Sequence, residues 1–305
     1  MDLNVSSVPK LILATDQFQE RAVVYDLARY EEGKTLDDLE VWSLPIGHAA
    51  GLKFRENTVF GDVIIVGGSH SAIYEYPSGR KIWGTDNSGN NTHSVELLPS
   101  GNIVFTNTHG HCLRLFLTSA LLEGNEAKAQ EYLEYPKNWA YSAVWDPERK
   151  VLWAGGSRLE AYAVEGEGTN QTLRLLEDRG YTYPAHDMMP DYTDSRYLYM
   201  AGNEVVRYDK QTNTISDQFS FCDVLQGGSL KCFFNVPCGD FYCNGTLGGK
   251  GRFYEGFRKE SWLTDTIVCF FRKIDENGTV CLVRRELTSS KSAFYKVRPL
   301  YGKYL

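Results

Sequence analysis

The 305-residue chain lacks any apolar run approaching 18 residues, so no transmembrane helix is expected. It lacks a basic excess: 32 Lys and Arg against 39 Asp and Glu give a net charge of −7, which argues against nucleic acid as a partner. Its first residues, MDLNVSSVPKLIL, have neither the basic start nor the apolar stretch of a secretory signal, and the expectation is a cytoplasmic protein. The seven cysteines are an odd number without a CxxC pair, which suits a reducing compartment. Cys222, Cys232, Cys238 and Cys243 match no structural zinc spacing. There is no GxxxxGK[ST], no glycine fingerprint between a strand and a helix, and no GxSxG, which sets aside nucleotide-binding loops and the serine-hydrolase elbow. Gly67-Gly68, Gly155-Gly156 and Gly248-Gly249 then read as turn glycines. Helical patterning is nearly absent. Residues 118–135 resemble a helix, but Gly124 interrupts them, so they form either a short inserted helix or an irregular outer strand.

What the chain has is a repeat. His48, His93, Tyr141 and His186 each open a short apolar segment, at successive gaps of 45, 48 and 45 residues. A tight turn follows each segment, then a second strand, then a third rich in Tyr or Phe. In the later copies the first turn carries Pro99-Ser100-Gly101, Asp146-Pro147 or Pro190-Asp191, residues that preset turn geometry. Six units begin near residues 9, 48, 93, 141, 186 and 229. A period of this size with several strands per unit is WD40-like, and it predicts an all-β chain forming a single six-bladed β-propeller of mostly four-stranded blades, as one monomeric domain over residues 1–305. Seven blades would need shorter units. Closure falls either to the final segment, SAFYKVRPL, or to the N-terminal strand around residues 11–15.

Several segments resemble one known family. LILATDQFQERAVVYDL, HSVELLPSGNIVF, VWDPERKVLWAGG, AHDMMPDYTDSRYLYMAGNEVVRYDK, SLKCF, ESWLTDTIVCFF and AFYKVRPL occur in order across most of the chain. Together they are similar to an uncharacterised bacterial six-bladed β-propeller family, classed as a domain of unknown function. The resemblance implies polar positions at Asp16, His93, Glu96, His186, Asp187, Lys231, Trp262, Tyr295, Lys296 and Arg298. It also implies His where this chain has Tyr141. It implies a fold and a site, and no reaction.

In a propeller the loops entering the innermost strands surround the axis on one face, where ligands commonly sit. That places His93, Tyr141, His186 and Lys231 in one pocket as candidate catalytic groups. His93 or His186 would serve as general base and Tyr141 as acid, with Lys231 or Arg298 favouring the phenolate. Asp16, His48, Glu96, Asp187, Trp262 and Arg298 are candidate ligand-binding groups. The bland alternative is that these side chains only satisfy backbone groups at strand starts. No cofactor is expected, the competing reading being a divalent metal held by converging imidazoles. Trp139, Tyr141 and Trp262 can stack on a sugar, while Trp83, Trp145 and Trp153 read as blade packing. THGH (108–111) reads as an exposed turn, and DNSGNN (86–91) imitates a calcium loop without its closing Glu. The expected partner is a small polar or anionic ligand such as a carbohydrate, with no membrane partner. The competing function is a non-catalytic propeller that binds a protein partner.

Overall fold

The computed structural model describes residues 10–89, 91–180, 185–202, 204–218, 229–246 and 262–302. Among these residues the regular structure is all β apart from short 3-10 turns, and four-stranded antiparallel sheets are arranged as in a β-propeller. No helix among them is long and apolar enough to cross a membrane.

The chain begins with β1 (Leu11–Asp16), β2 (Arg21–Asp26) and β3 (Glu40–Pro45). Five continuous meanders follow. The first is β4 (Ala49–Thr58), β5 (Gly61–Gly68), β6 (Ser71–Glu75) and β7 (Lys81–Thr85). The second is β8 (Val95–Leu97), β9 (Ile103–Asn107), β10 (Cys112–Phe116) and β11 (Tyr132–Pro136). The third is β12 (Ser142–Asp146), β13 (Val151–Gly155), β14 (Glu160–Glu165) and β15 (Thr172–Asp178). The fourth is β16 (Asp187–Pro190), β17 (Tyr197–Ala201), β18 (Val205–Asp209) and β19 (Thr214–Ser216). The fifth is β20 (Ser229–Asn235), β21 (Phe241–Thr246), β22 (Thr266–Ile274) and β23 (Val280–Thr288). The last strand, β24 (Phe294–Pro299), returns to pair with β1, giving a sheet of order β24-β1-β2-β3. The repeat spacing predicts six blades. Five are continuous, and the remaining four-stranded sheet is assembled from the two ends of the chain. Both closure alternatives are therefore used at once, because the N-terminal strand pairs with the C-terminal one.

By its contacts the chain divides into two compact units. One is Met1–Pro45 with Met189–Leu300, and the other is Ile46–Met188 with Tyr301–Leu305.

Aspartates set several hairpins. Asp146 accepts the backbone N–H groups of Glu148 and Arg149, and Asp191 accepts that of Thr193. Asp209 does the same for Gln211 and Thr212, and Asp275 for Asn277 and Thr279. A short carboxylate that bonds the backbone two or three residues on mimics a turn, which is why Asp recurs there. The ambiguous segment after β10 resolves into both of its readings. Thr118–Glu123 and Lys128–Gln130 are 3-10 turns, Gly124 caps the first in the left-handed region, and β11 follows as the outer strand.

The core lies between neighbouring sheets, and strand alternation fills it. On β9, Ile103 and Phe105 pack with Val63, Ile65, Ile73 and Trp83 of the preceding blade. Val104, between them, packs with Ala143, Trp145, Leu152 and Ala154 of the following blade. This period of two, buried on both faces, explains why the strands read as continuous apolar runs. In the other unit Tyr199 and Val205 meet Phe233, Val268 and Phe270 in the same way. One glycine pair lies in a strand and not in a turn: Gly67 and Gly68 end β5, and a Cβ on Gly68 would stand 2.4 Å from the carbonyl oxygen of His48. Gly155 ends β13 and Gly156 opens the bend after it, where a Cβ would stand 2.3 Å from the carbonyl oxygen of Trp139. They are glycine because the loop entering the inner strand passes directly over them. Gly248-Gly249 lie outside the described residues.

One charged group joins three innermost strands. Glu96 on β8 is wholly buried. Its carboxylate accepts Arg55 Nε at 2.9 Å, Arg55 Nη2 at 2.7 Å and Lys53 Nζ at 2.9 Å, all from β4. It also accepts the backbone N–H of Trp145 on β12 at 3.2 Å, while Lys53 donates to the Ala143 carbonyl. Burial opposes ionisation, but the Arg55 guanidinium and the Lys53 ammonium outweigh it and hold the carboxyl below its ordinary range. Glu96 thus clamps three inner strands, whatever else it does. Asp16 is likewise engaged within the fold. It is buried at the end of β1, where it pairs with Arg21 at 3.1 Å and accepts the N–H groups of Gln19 and Ala293. Arg21 in turn makes a two-pronged pair with Glu40, at 2.6 and 3.0 Å.

Two outcomes follow from these contacts. Ending the chain at Ala293 removes β24 and exposes the β1 edge, so the shortened protein is expected to aggregate on expression. Recovery of a soluble, cooperatively melting truncation by size exclusion and circular dichroism would count against this closure. Replacing Glu96 by Ala strands two buried cations and is expected to cost about 3–5 kcal/mol in denaturant unfolding. Because the folded carboxyl titrates low, its contribution is complete above the ordinary Glu range and fades as pH falls through the lowered folded value. Glu96→Gln should therefore flatten the acid limb of stability against pH, and an unchanged limb would refute the clamp.

Candidate functional site

Within the unit Ile46–Met188, three repeat positions meet. Tyr141 and His186 immediately precede β12 and β16, and His93 stands two residues before β8. The rings of His93 and Tyr141 lie 4.8 Å apart at 70°, and those of His93 and His186 5.5 Å apart at 72°. Tyr141 and His186 stack at 4.9 Å and 25°. Shared register is what brings them together, since each loop enters its own inner strand at the same point. His93 is buried, while Tyr141 and His186 are half-buried, so the cluster is open on one side.

The tautomer of His93 follows from its partners. Nδ1 lies 3.1 Å from the Asn91 carbonyl oxygen and 2.8 Å from Thr108 Oγ1. The single Thr108 hydroxyl hydrogen goes to the Ala140 carbonyl, at 2.6 Å, so that oxygen faces Nδ1 as an acceptor. Nδ1 therefore carries the hydrogen, and Nε2 is the lone-pair nitrogen of the neutral ring. An imidazole fixed in this way is oriented to act as a base or acceptor through Nε2. Burial raises the pKa of the Tyr141 phenol, which keeps it a hydroxyl donor at neutral pH. The backbone of Tyr141 is held by its N–H to the Gly155 carbonyl, at 3.0 Å.

The cluster continues outward to a rim. Trp139 is 43% exposed and lies nearly parallel to Tyr141, at 6.3 Å and 9°. His111 and His109 meet the indole edge-on, at 5.0 and 6.4 Å. Asn91 links the two levels, because its carbonyl faces His93 and its amide donates to His109 Nε2 at 3.3 Å. Residues 108–111 form the expected turn, exposed from His109 on, but its histidines also frame Trp139, which the sequence reading did not connect to them.

The other candidates stand elsewhere. His48 is exposed one residue before β4, and its carbonyl accepts the Ser69 N–H and hydroxyl. Asp187 is buried at the first position of β16. Lys231, Trp262 and Arg298 belong to the other unit. Lys231 is buried on β20 where the pairing register with β21 slips, and burial lowers its pKa. Arg298 is buried on β24, and Trp262 is exposed ahead of β22. Asp86 of the calcium-like loop pairs with His70 at 2.7 Å. Among the described residues no group of three or more His, Cys, Asp or Glu side chains is placed to hold a metal ion. Of the cysteines grouped in the sequence, Cys222 lies outside the described residues.

Comparison with known proteins finds no matching family model and no matching curated protein.

The His93 assignment has a direct check. Nitrogen-15 NMR of the histidine side chains should show His93 protonated at Nδ1 when neutral. Thr108→Val should disturb that tautomer and cost about 1–3 kcal/mol of stability, because the buried Ala140 carbonyl loses its donor. A neutral His93 carrying its hydrogen on Nε2 in the unaltered protein would overturn the assignment.

Proposed function

We propose that this protein binds a polar small molecule of the carbohydrate class at the His93–Tyr141–His186 cluster, and that the cluster can exchange a proton with it. The observation behind this reading is the mutual contact of two imidazoles and a phenol at one edge that solvent reaches. β-Propellers serve as scaffolds for ligand binding and for protein interaction, so the fold alone does not choose. The side chains favour a small ligand. Tyr141 offers a hydroxyl donor and a ring face, and His93 Nε2 offers a lone pair fixed in place. A bound hydroxyl lying between them would meet an acceptor on one side and a donor on the other, the arrangement used in general acid–base catalysis of a lyase or hydrolase type. This reading gives His93 the role of base and Tyr141 that of acid. The same reading counts the composite sheet as a sixth blade and keeps the kinship with the uncharacterised bacterial propeller family as its working hypothesis.

The second reading, a non-catalytic interaction scaffold, is favoured by one observation. The outer strands β11 and β15 expose Tyr132, Leu133, Leu175 and Leu176, apolar side chains that a protein partner could cover.

A thermal-shift screen with neutral sugars, uronic acids and divalent ions decides between them. Stabilisation by a sugar or sugar acid is expected, with loss of the effect in His186→Ala and a weakened effect in Tyr141→Phe. Both variants should melt within a few degrees of the parent, since half-buried site residues contribute little packing. If no sugar shifts the parent and His186→Ala unfolds the protein, the histidines are structural and the scaffold reading stands.

A further inference from the structure

We propose that the ligand is a carbohydrate of two or more linked rings, and that the ring beyond the His93–Tyr141–His186 cluster lies against the indole of Trp139. This rests on the cluster being a carbohydrate site and extends it outward by one position.

Three ring planes run in series. His186 stacks with Tyr141 at 25°, and Tyr141 is nearly parallel to Trp139 at 9°. The series passes from the half-buried His186 to the exposed Trp139. The stack covers the inner faces against one another, so the surface left for a further sugar ring is the exposed Trp139 at its outer end. The other tryptophans of this unit, Trp83, Trp145 and Trp153, are all buried in blade packing. Trp139 is the one this unit holds out in solvent, and a large exposed aromatic beside a polar site marks a surface for contact.

The indole is also built in place. Trp139 has a φ of +51°, His111 of +52° and Asn91 of +60°. Three non-glycine residues in the left-handed region, gathered round one ring, are costly unless their surroundings hold them. The holding contacts are specific. The Trp139 N–H donates to His111 Nδ1 at 3.2 Å, and the Lys137 N–H donates to the His111 carbonyl at 2.8 Å. Asn138 accepts the N–H and the hydroxyl of Ser157, and Gly156 leaves room for the Trp139 carbonyl. An aromatic surface ordered beforehand loses little freedom when a ligand arrives. His109 and His111 meet the indole edge-on, and Asn91 bonds His109, so polar groups stand beside the ring. Apolar C–H faces with a hydroxyl edge describe a sugar ring.

The test compares chain lengths. Galactose and galacturonate are titrated by calorimetry against the full-length protein as monomers and as linear dimers and trimers, with adenosine as a planar control. The unaltered protein is expected to bind the dimer and trimer about tenfold more tightly than the monomer, the size of one well-made aromatic contact. Trp139→Ala should abolish that gain with chain length, and Trp139→Tyr should restore part of it. Equal affinity for all lengths, in the parent and in Trp139→Ala alike, overturns this inference and leaves the cluster reading standing. Binding of no sugar at any length overturns both, and so does binding of adenosine alone.

Discussion

The buried carboxylate of Glu96 governs the geometry of the unit that carries the site. Two innermost strands converge on it where it stands on β8, one through two side chains of β4 and one through the backbone of β12. Removing a full charge from water is expensive unless it is paired and hydrogen-bonded, and Glu96 meets both conditions. Such a pairing gains little over an apolar one in stability but tolerates only one register. A shift of β8 by one residue would turn Glu96 away from Lys53 and Arg55 and leave three charges stranded. His93 lies three residues before Glu96 on the same strand approach, and Tyr141 two residues before Ala143. Fixing the strands therefore fixes where both rings emerge.

Above that clamp the site is held by a finer set of hydrogen bonds. Thr108 spends its one hydrogen on Ala140 and so must accept from His93, and Asn91 faces the same nitrogen with its carbonyl. None of these atoms carries a charge. The arrangement is selective because each group has only one chemical option left. Close backbone passage over Gly68 and Gly156 lets the loops entering β4 and β12 lie close on the neighbouring second strands, and the second of these carries Trp139 and Tyr141.

The blade pattern was legible because turn chemistry and strand alternation repeat at a fixed spacing. The meeting of His93, Tyr141 and His186 was legible for the same reason, since one register position recurs at one place in each blade. The partners of Glu96 and Asp16 were not legible, because a carboxylate on an inner strand looks the same in sequence whether it faces a ligand or a neighbour's guanidinium. Only the partner distinguishes them, and Arg55 lies 41 residues from Glu96. Gly67-Gly68 read as a turn because the carbonyl that passes over Gly68 belongs to His48, twenty residues earlier. Trp139 and His111 were each visible alone. Their contact was not, because it joins the turn between the second and third strands of one blade to the loop entering the next.

The composite sheet gives the chain an order of events during synthesis. Thr15 and Lys296 exchange hydrogen bonds across 281 residues, so the earliest strand made waits for the latest. A ribosome will have delivered all five continuous meanders before β1 acquires its inner neighbour. Until then β1 offers an unpaired edge to any other nascent chain on the same message. Local hairpins can form as they emerge, but this long-range pairing sets the final step and its speed. β1 and β24 lie in one sheet, so a permutant that links them directly and opens a different loop would move that last step to another blade without changing the fold.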